Sequence, residues 1–127
     1  MKLLGPDHIV LVSPDPERLL DWYSQLLGAQ AERLELWREG KVPFVSLRIS
    51  PTFLIDITHG DRSGMNVDHL ALAVDEVDLD ELATNLDDIE MGPANLFGAR
   101  GSGRGIYLRD PHGNRLELRT YPQHGAN

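Results

Sequence analysis

Residues 7–12, DHIVLV, return 61 positions later as residues 68–73, DHLALA. The same offset relates Asp56 to Glu117, so four potential metal ligands fall at matching points of the repeat. A self-similarity of this length indicates a duplicated supersecondary unit, and two copies are too few for an elongated solenoid. The repeat therefore predicts two modules that close on each other around a shared cavity.

The length of the chain limits how these modules are organised. A chain of 127 residues suits one domain and is too short for two independent catalytic domains. We therefore expect a single domain over residues 1–127, in which the first module covers about 6–58 and the second about 67–121.

Composition excludes several functional classes. With 20 acidic and 12 basic side chains, the net charge of −8 disfavours non-specific binding to nucleic acid or anionic lipid. The chain has no Cys, which excludes a thiolate zinc site and a cysteine nucleophile, so any metal must be held by nitrogen and oxygen.

Hydropathy argues against a membrane protein. No apolar run approaches the roughly 20 residues that span a bilayer, and Gly5-Pro6 interrupts the first residues before a signal-peptide core could form. These features predict a soluble, cytoplasmic protein that binds neither membrane nor nucleic acid.

In the first module, local patterns predict the order β-α-β-β-β. Asp15 is a candidate N-cap, Pro16 suits the first helical position, and Gly28 ends the apolar helical face. The pattern gives a helix over 16–27 and strands over 7–13, 30–38, 42–50 and 52–58.

The second module follows a polar connector at 59–66. We expect a strand over 67–74 and a hairpin of strands 103–109 and 114–120, with a weakly signalled partner strand between 90 and 100. A frayed tail is expected after Tyr121. A helix is predicted from the spacing of Leu79, Leu82, Ala83, Leu86 and Ile89.

Strand alternation assigns the candidate site residues to faces. Glu117 lies opposite Leu116 and Leu118, and Asp56 alternates with apolar residues in the same way. Taken singly, each carboxylate or histidine is more typical of a hydrogen-bonded strand residue than of a ligand. Two imidazoles and one carboxylate from equivalent places can instead occupy one face of a divalent ion, leaving other positions open to water or substrate.

Three stretches carry a resemblance to a known family. They are the start of the first module, the matching Asp68-His69-Leu70-Ala71-Leu72, and Tyr107-Leu108-Arg109-Asp110-Pro111-His112-Gly113-Asn114-Arg115-Leu116-Glu117-Leu118. In these residues the chain resembles the vicinal oxygen chelate superfamily, which includes glyoxalase I, fosfomycin-resistance enzymes, extradiol dioxygenases and bleomycin-resistance proteins. The resemblance covers Asp7 to Tyr121. It implies an α+β fold of two βαβββ modules forming an open, cupped mixed β-sheet, and a homodimer.

The resemblance also implies a ligand set. His8, His69 and Glu117 occupy the superfamily's metal positions, and Asp56 stands where glyoxalase I-like members place a further carboxylate that transfers a proton. Asp56 is one methylene shorter than Glu, so a role through water is the alternative to direct ligation. The donor set accepts iron(II), manganese, nickel, cobalt or zinc.

Two functions from different classes follow from this resemblance. The first is a divalent-metal enzyme acting on a small substrate chelated through adjacent oxygens, by glyoxalase-type lyase or isomerase chemistry or by fosfomycin-type epoxide opening with a thiol co-substrate. Arg104, Arg109 and Arg119 are candidates to orient an anionic group of that substrate. The second is a metal-free protein that binds a bleomycin-type drug. A small extradiol dioxygenase is a less favoured variant of the first.

A glycine-rich stretch, residues 98–105, invites a phosphate-loop interpretation. It lacks the Lys-Ser/Thr ending and precedes a strand where a phosphate loop precedes a helix, which disfavours that interpretation. A mobile rim over the pocket and an ordinary flexible connector are the two remaining predictions.

Overall fold

The computed structural model of the chain describes residues 2, 4–65 and 67–122. It divides into two units, Met1–Gly64 and Met65–Asn127. The division falls within the predicted connector at 59–66, of which Asn66 lies outside the described residues. Each predicted module thus corresponds to one unit.

The first unit forms a four-stranded mixed sheet. Its elements are β1 (His8–Ser13), α1 (Pro16–Leu27), β2 (Gln30–Glu32), α2 (Leu34–Arg38), β3 (Phe44–Ser50) and β4 (Phe53–His59). The strand order is β1-β4-β3-β2. β1 runs parallel to β4, and the other pairs are antiparallel.

The second unit repeats this arrangement. Its elements are β5 (Leu70–Ala73), α3 (Glu76–Asn85), β6 (Met91–Gly98), β7 (Gly101–Arg109) and β8 (Arg115–Arg119). The order β5-β8-β7-β6 matches that of the first sheet. The register is repeated too, since Val10 lies opposite Asp56 and Ala71 opposite Glu117. The predicted α+β class with two βαβββ modules is confirmed.

Helix α1 begins and ends where the sequence predicts. The Asp15 side chain accepts a hydrogen bond from the backbone N–H of Arg18, and Gly28 adopts the left-handed conformation at φ 64°. Three side chains of its inner face, Leu19, Leu20 and Tyr23, are buried. Burial of each such side chain stabilises the fold by about 1.5–3 kcal/mol. The side of the first sheet that faces α1 is therefore the buried core side. The candidate site residues His8 and Asp56 lie on the opposite side.

The strand predicted over 30–38 is wrong beyond Glu32. Arg33 adopts a left-handed conformation at φ 66°, which ends β2, and residues 34–38 form α2. Arg38 donates to Glu35 one helical turn earlier and to Glu17 of α1. Leu34 and Leu36 flank Glu35 as apolar residues do in a strand. Good helix formers and local ion pairs nevertheless favour a turn of helix here.

Two expectations for the second unit need correction. Helix α3 ends at Asn85, because Leu86 is already extended, so Leu86 and Ile89 do not belong to it. The glycine-rich stretch is not an irregular connector, since Gly98 pairs with Gly101 and β6 and β7 form a hairpin there. The mobile rim stays a prediction. Most of the predicted tail, residues 123–127, lies outside the described residues. No helix in the described part of the chain is long and apolar enough to cross a membrane.

Candidate functional site

The sheet of the first unit has one apolar face and one mixed face, where polar residues stand beside Val10 and Val12. Leu11, Ile55 and Ile57 are buried on the side that α1 covers. His8 and Asp56 lie on the other side, because strand alternation and the pairing of Val10 with Asp56 place them there. On this side Val10 is 47% exposed, whereas Asp56 is 4% exposed.

The first half-site consists of Asp7, His8, Ser46 and Asp56. The Asp56 carboxylate is buried, and its Oδ1 accepts a hydrogen bond of 2.6 Å from the Ser46 hydroxyl. Arg33 in turn donates to the Ser46 oxygen. On β1, His8 Nδ1 lies 2.6 Å from Asp7 Oδ2. The carboxylate of Asp56 and the ring of His8 are thus both held in fixed orientations.

Charge around His8 favours its protonated form. The hydrogen bond with Asp7 raises the pKa of His8 above its ordinary value, partial burial opposes this, and the negative charge of Asp56 adds to it. The influence of Asp56 agrees with the two residues sharing one face. A cation at this position would meet the same favourable field as the proton.

The second half-site consists of Asp68, His69, Tyr107, Glu117 and Arg119. Glu117 is buried, and its two oxygens have different partners. Oε1 accepts a hydrogen bond of 3.0 Å from the Tyr107 hydroxyl, and Oε2 accepts one of 2.9 Å from Arg119 Nη1. Oε1 also lies 3.1 Å from His69 Nε2.

The contact between His69 and Glu117 fits a divalent ion. His69 Nδ1 lies 2.6 Å from Asp68 Oδ2, and donation of its hydrogen there leaves the Nε2 lone pair facing the carboxylate. At 3.1 Å the nitrogen and the oxygen can share a proton or, with Nε2 unprotonated, a cation. Ligands held about 2.0–2.2 Å from an ion at right angles are separated by about 3 Å, close to this spacing.

The protonation states of the neighbours suit this arrangement. The hydrogen bond with His69 lowers the pKa of Asp68, which therefore stays ionised and anchors the imidazole. Burial, followed by the hydrogen bond to Glu117, raises the pKa of Tyr107, so its hydroxyl remains a donor at neutral pH.

The structure places the three predicted ligands in two units. His69 and Glu117 come together in the second, and His8 belongs to the first. Among the residues that the structure describes, no group of three His, Asp or Glu side chains is arranged for a metal ion. A shared centre with His8, and the role of Asp56, stay predictions.

The three predicted substrate-binding arginines have different surroundings. Arg104 pairs with Asp80 at 2.8 Å and Arg109 with Glu90 at 2.6 Å, and both remain partly exposed. Arg119 is buried against Glu117. Their contact with a substrate stays a prediction.

Sequence reasoning did not assign a role to Ser46 or Tyr107. Each donates to a carboxylate opposite it on the neighbouring strand, Ser46 to Asp56 and Tyr107 to Glu117. The signal was present in the repeat, because Ser46 and Tyr107 are themselves 61 residues apart. Chemically different side chains at equivalent positions concealed it.

Comparison with known proteins gives one family match. The model of the Glyoxalase/Bleomycin resistance protein/Dioxygenase superfamily matches residues 5–118. A comparison with curated protein sequences gives no match.

Several solved structures are similar over nearly the whole chain. A virulence protein from Salmonella typhimurium has a TM-score of 0.75 at 22% identity, covering 96% of this chain and 100% of its own. The fosfomycin resistance protein FosX from Mesorhizobium loti has a TM-score of 0.70 at 19% identity, covering 98% of both chains. A lactoylglutathione lyase from Agrobacterium tumefaciens has a TM-score of 0.66 at 16% identity, covering 94% of this chain and 96% of its own. At these identities the likeness concerns the fold.

Proposed function

The chain belongs to the Glyoxalase/Bleomycin resistance protein/Dioxygenase superfamily, and on this basis we propose that it is a divalent-metal-dependent enzyme acting on a small substrate with adjacent oxygens. The observation that carries the proposal is the 3.1 Å separation of His69 Nε2 and Glu117 Oε1, a ring nitrogen and a carboxylate oxygen that face each other. This separation suits two neighbouring ligands of one ion.

In this proposal the ion takes one ligand from the first unit and two from the second, within a single domain. His8, His69 and Glu117 are the ligands, and the positions left open receive the substrate oxygens. When bound, the ion would polarise a substrate oxygen and stabilise negative charge developing beside it. Asp7 and Asp68 orient the two imidazoles through their Nδ1 atoms.

Asp56 is the proposed proton acceptor. Its carboxylate is buried on the same face as His8, and the Ser46 hydroxyl fixes one of its oxygens. A general base needs a fixed position within hydrogen-bonding reach of the proton it removes. Because its side chain is short, we assign Asp56 to proton transfer, directly or through one water, and leave ligation to the other three residues.

The proposed substrate carries an anionic group. Arg109 is partly exposed on the same face of β7 as Tyr107 and pairs with the Glu90 carboxylate and the Gly113 backbone oxygen, so an anionic ligand can exchange for Glu90. Arg104 is partly exposed too, but it pairs with Asp80 of α3 on the opposite face of the strand. Arg119, for which the sequence also predicts contact with the anionic group, is more deeply buried than Arg104 and Arg109. Isomerase or lyase chemistry and thiol-dependent epoxide opening both use such a substrate, and two proteins with this fold are named a lactoylglutathione lyase and a fosfomycin resistance protein. We further propose a homodimer.

An activity screen tests the reaction class. Protein reconstituted separately with manganese, nickel, cobalt, zinc and iron(II) is assayed against hemithioacetals, against fosfomycin with several thiols, and against catechols. Turnover of one substrate class that a chelator abolishes and the metal restores supports the proposal. Failure of every metal to bind contradicts it.

A second function, drug sequestration, is favoured by the net charge of −8, which suits a cationic glycopeptide. In that case the chelator-treated protein binds a bleomycin-type drug at stoichiometric ratio, and His69→Ala and Glu117→Gln variants bind it equally well. Under the enzyme proposal, the same two substitutions remove the metal.

A further inference from the structure

Arg119 is a buried arginine whose terminal nitrogens are all directed at protein acceptors. Nη1 donates to Glu117 Oε2 at 2.9 Å, and Nη2 donates to the backbone oxygen of Leu96 at 2.9 Å and of Gly101 at 3.4 Å. The guanidinium also lies 4.4 Å from the centre of the Tyr121 ring. Its side chain is 4% exposed, which fixes the group from several sides.

A glycine makes the space that the Arg119 guanidinium occupies. A Cβ atom at Gly98 would lie 1.9 Å from Nη1, 2.3 Å from Cζ and 2.8 Å from Nη2. At Gly103 and Gly105 a Cβ would first meet other atoms, the backbone oxygen of Thr120 at 1.9 Å and Leu96 Cδ1 at 3.0 Å. We call Gly98 the glycine seat. It gives the glycine at the end of β6 a structural purpose, because the guanidinium fits there only where a side chain is missing.

The ion pair of Arg119 and Glu117 is better explained by the orientation that it gives the Glu117 carboxylate than by a contribution to the free energy of unfolding. Both side chains are 4% exposed, and for buried ion pairs the cost of desolvation can match or exceed the attraction. The ion pair does orient the two oxygens of the Glu117 carboxylate. One carboxylate oxygen is taken by Arg119, and the other is left beside His69 Nε2 and the Tyr107 hydroxyl.

We propose that Arg119 is a positioning residue, which the glycine seat holds in place so that Glu117 presents a single oxygen, Oε1, to the metal. This inference rests on the proposed function. It assigns Arg119 to the ligand and not to the substrate, since both terminal nitrogens are engaged with protein acceptors. A Glu117 confined to one-oxygen ligation leaves an additional coordination position for the substrate.

Cobalt(II) titration of purified, metal-free protein tests the proposal. Removal of a nearby positive charge would by Coulomb's law alone tighten cobalt(II) binding. Loss of the partner that orients a ligand has the opposite effect, typically about 10- to 100-fold in affinity. We therefore expect the Kd for cobalt(II) to rise about 10- to 100-fold in Arg119→Gln. The matched control is Arg115→Gln, on the same strand and face. Arg115 pairs with Glu90, lies 4.0 Å from the centre of the Tyr107 ring and makes no hydrogen bond to Glu117, so its substitution should raise the Kd far less than Arg119→Gln does.

Gly98→Ala provides an independent route to the same effect. The new methyl group would collide with the guanidinium while leaving its charge in place, so the Kd should again rise. In the double variant with Arg119→Gln, the shorter glutamine no longer meets the methyl group. The double variant should therefore bind cobalt(II) no more weakly than Arg119→Gln alone, a coupling that a general loss of folding would not produce.

The visible spectrum of bound cobalt(II) adds a second readout. A Glu117 released from Arg119 is free to coordinate through both oxygens, which raises the coordination number and lowers the absorption intensity. Equal or tighter binding in Arg119→Gln, with an unchanged spectrum, overturns the positioning role while leaving the proposed function intact. Absence of cobalt(II) binding in the unsubstituted protein overturns both.

Discussion

Ser46 and Tyr107, at equivalent positions of the two modules, each donate a hydroxyl hydrogen to the carboxylate directly opposite on the next strand. The distances are 2.6 Å from Ser46 to Asp56 and 3.0 Å from Tyr107 to Glu117. Ser46 and Asp56 both have short side chains, so the first hydrogen bond stays near its sheet. Tyr107 and Glu117 both have long side chains. The hydrogen bond is therefore present in both modules, but Glu117 extends further from its own sheet than Asp56 does from its sheet. This difference suits Asp56 to proton transfer and Glu117 to ligation.

Replacement of Asp56 by Asn tests this division of labour. The amide keeps the shape of the side chain and can still accept from Ser46, but it cannot take a proton. We expect unchanged metal content and a fall in kcat of about 10²- to 10⁴-fold, measured with whichever substrate the screen identifies. Asp61→Asn, in an exposed segment, is the control. Loss of the metal in Asp56→Asn would instead identify Asp56 as a ligand.

Substitution of Asp68 by Asn tests the anchoring of His69. The ionised Asp68 holds Nδ1 of His69 at 2.6 Å, and a neutral amide holds it less firmly and selects the tautomer less strongly. Metal affinity should fall about 10- to 100-fold in an isothermal titration, and the equivalent Asp7→Asn should behave alike. An affinity that does not change in either variant would mean that the aspartates are only surface partners of the histidines.

Much of the fold follows from local signals in the sequence. Asp15, Pro16 and Gly28 mark both ends of α1, because cap geometry is set by neighbouring residues. β6 is weakly signalled, since Gly92 and Pro93 interrupt its pattern and its pairing with β7 shifts there. The end of β2 was missed because the left-handed conformation of Arg33 and the ion pairs of Arg38 depend on contacts that a strand pattern does not reveal.

The candidate site could be predicted from the sequence only in part. Strand alternation places Asp56 and Glu117 opposite buried apolar neighbours in the sequence, and the pairing of Val10 with Asp56 puts His8 on the same face as Asp56. The joining of these residues in one metal site stays a prediction. The seating of Arg119 was not predictable, because it depends on the path of β6 and β7 past the end of β8. A glycine in a loop-like stretch gave no indication that an arginine would fill its space.

The buried face of the second sheet should tolerate truncation poorly. Leu116 is fully buried, so Leu116→Ala removes apolar contact and leaves a cavity, at a cost of about 2–5 kcal/mol. Val77 on α3 is 72% exposed, and Val77→Ala should change the free energy of unfolding by less than about 0.5 kcal/mol. Urea unfolding of both variants measures the difference. Equal costs would contradict the placement of Leu116 in the core.

The contact between α1 and α2 should depend on pH. The hydrogen bond from Arg38 lowers the pKa of Glu17 below its ordinary value near 4.5. A lowered pKa in the folded state stabilises the protein above the ordinary value, and this contribution disappears as the pH falls through the lowered pKa. The thermal midpoint of the unsubstituted protein should therefore exceed that of Glu17→Gln slightly at pH 7 and equal it in strong acid. A difference that grows on acidification would contradict the pairing.

Metal content measured on three forms of the protein is the most direct test of the shared centre. Protein purified without chelators, and then the His8→Ala and Glu117→Ala variants, are analysed for bound divalent metal per chain. We expect one ion per chain in the unsubstituted protein and its loss in both variants, although the two residues belong to different units. Retention of a full equivalent of metal in His8→Ala would contradict it.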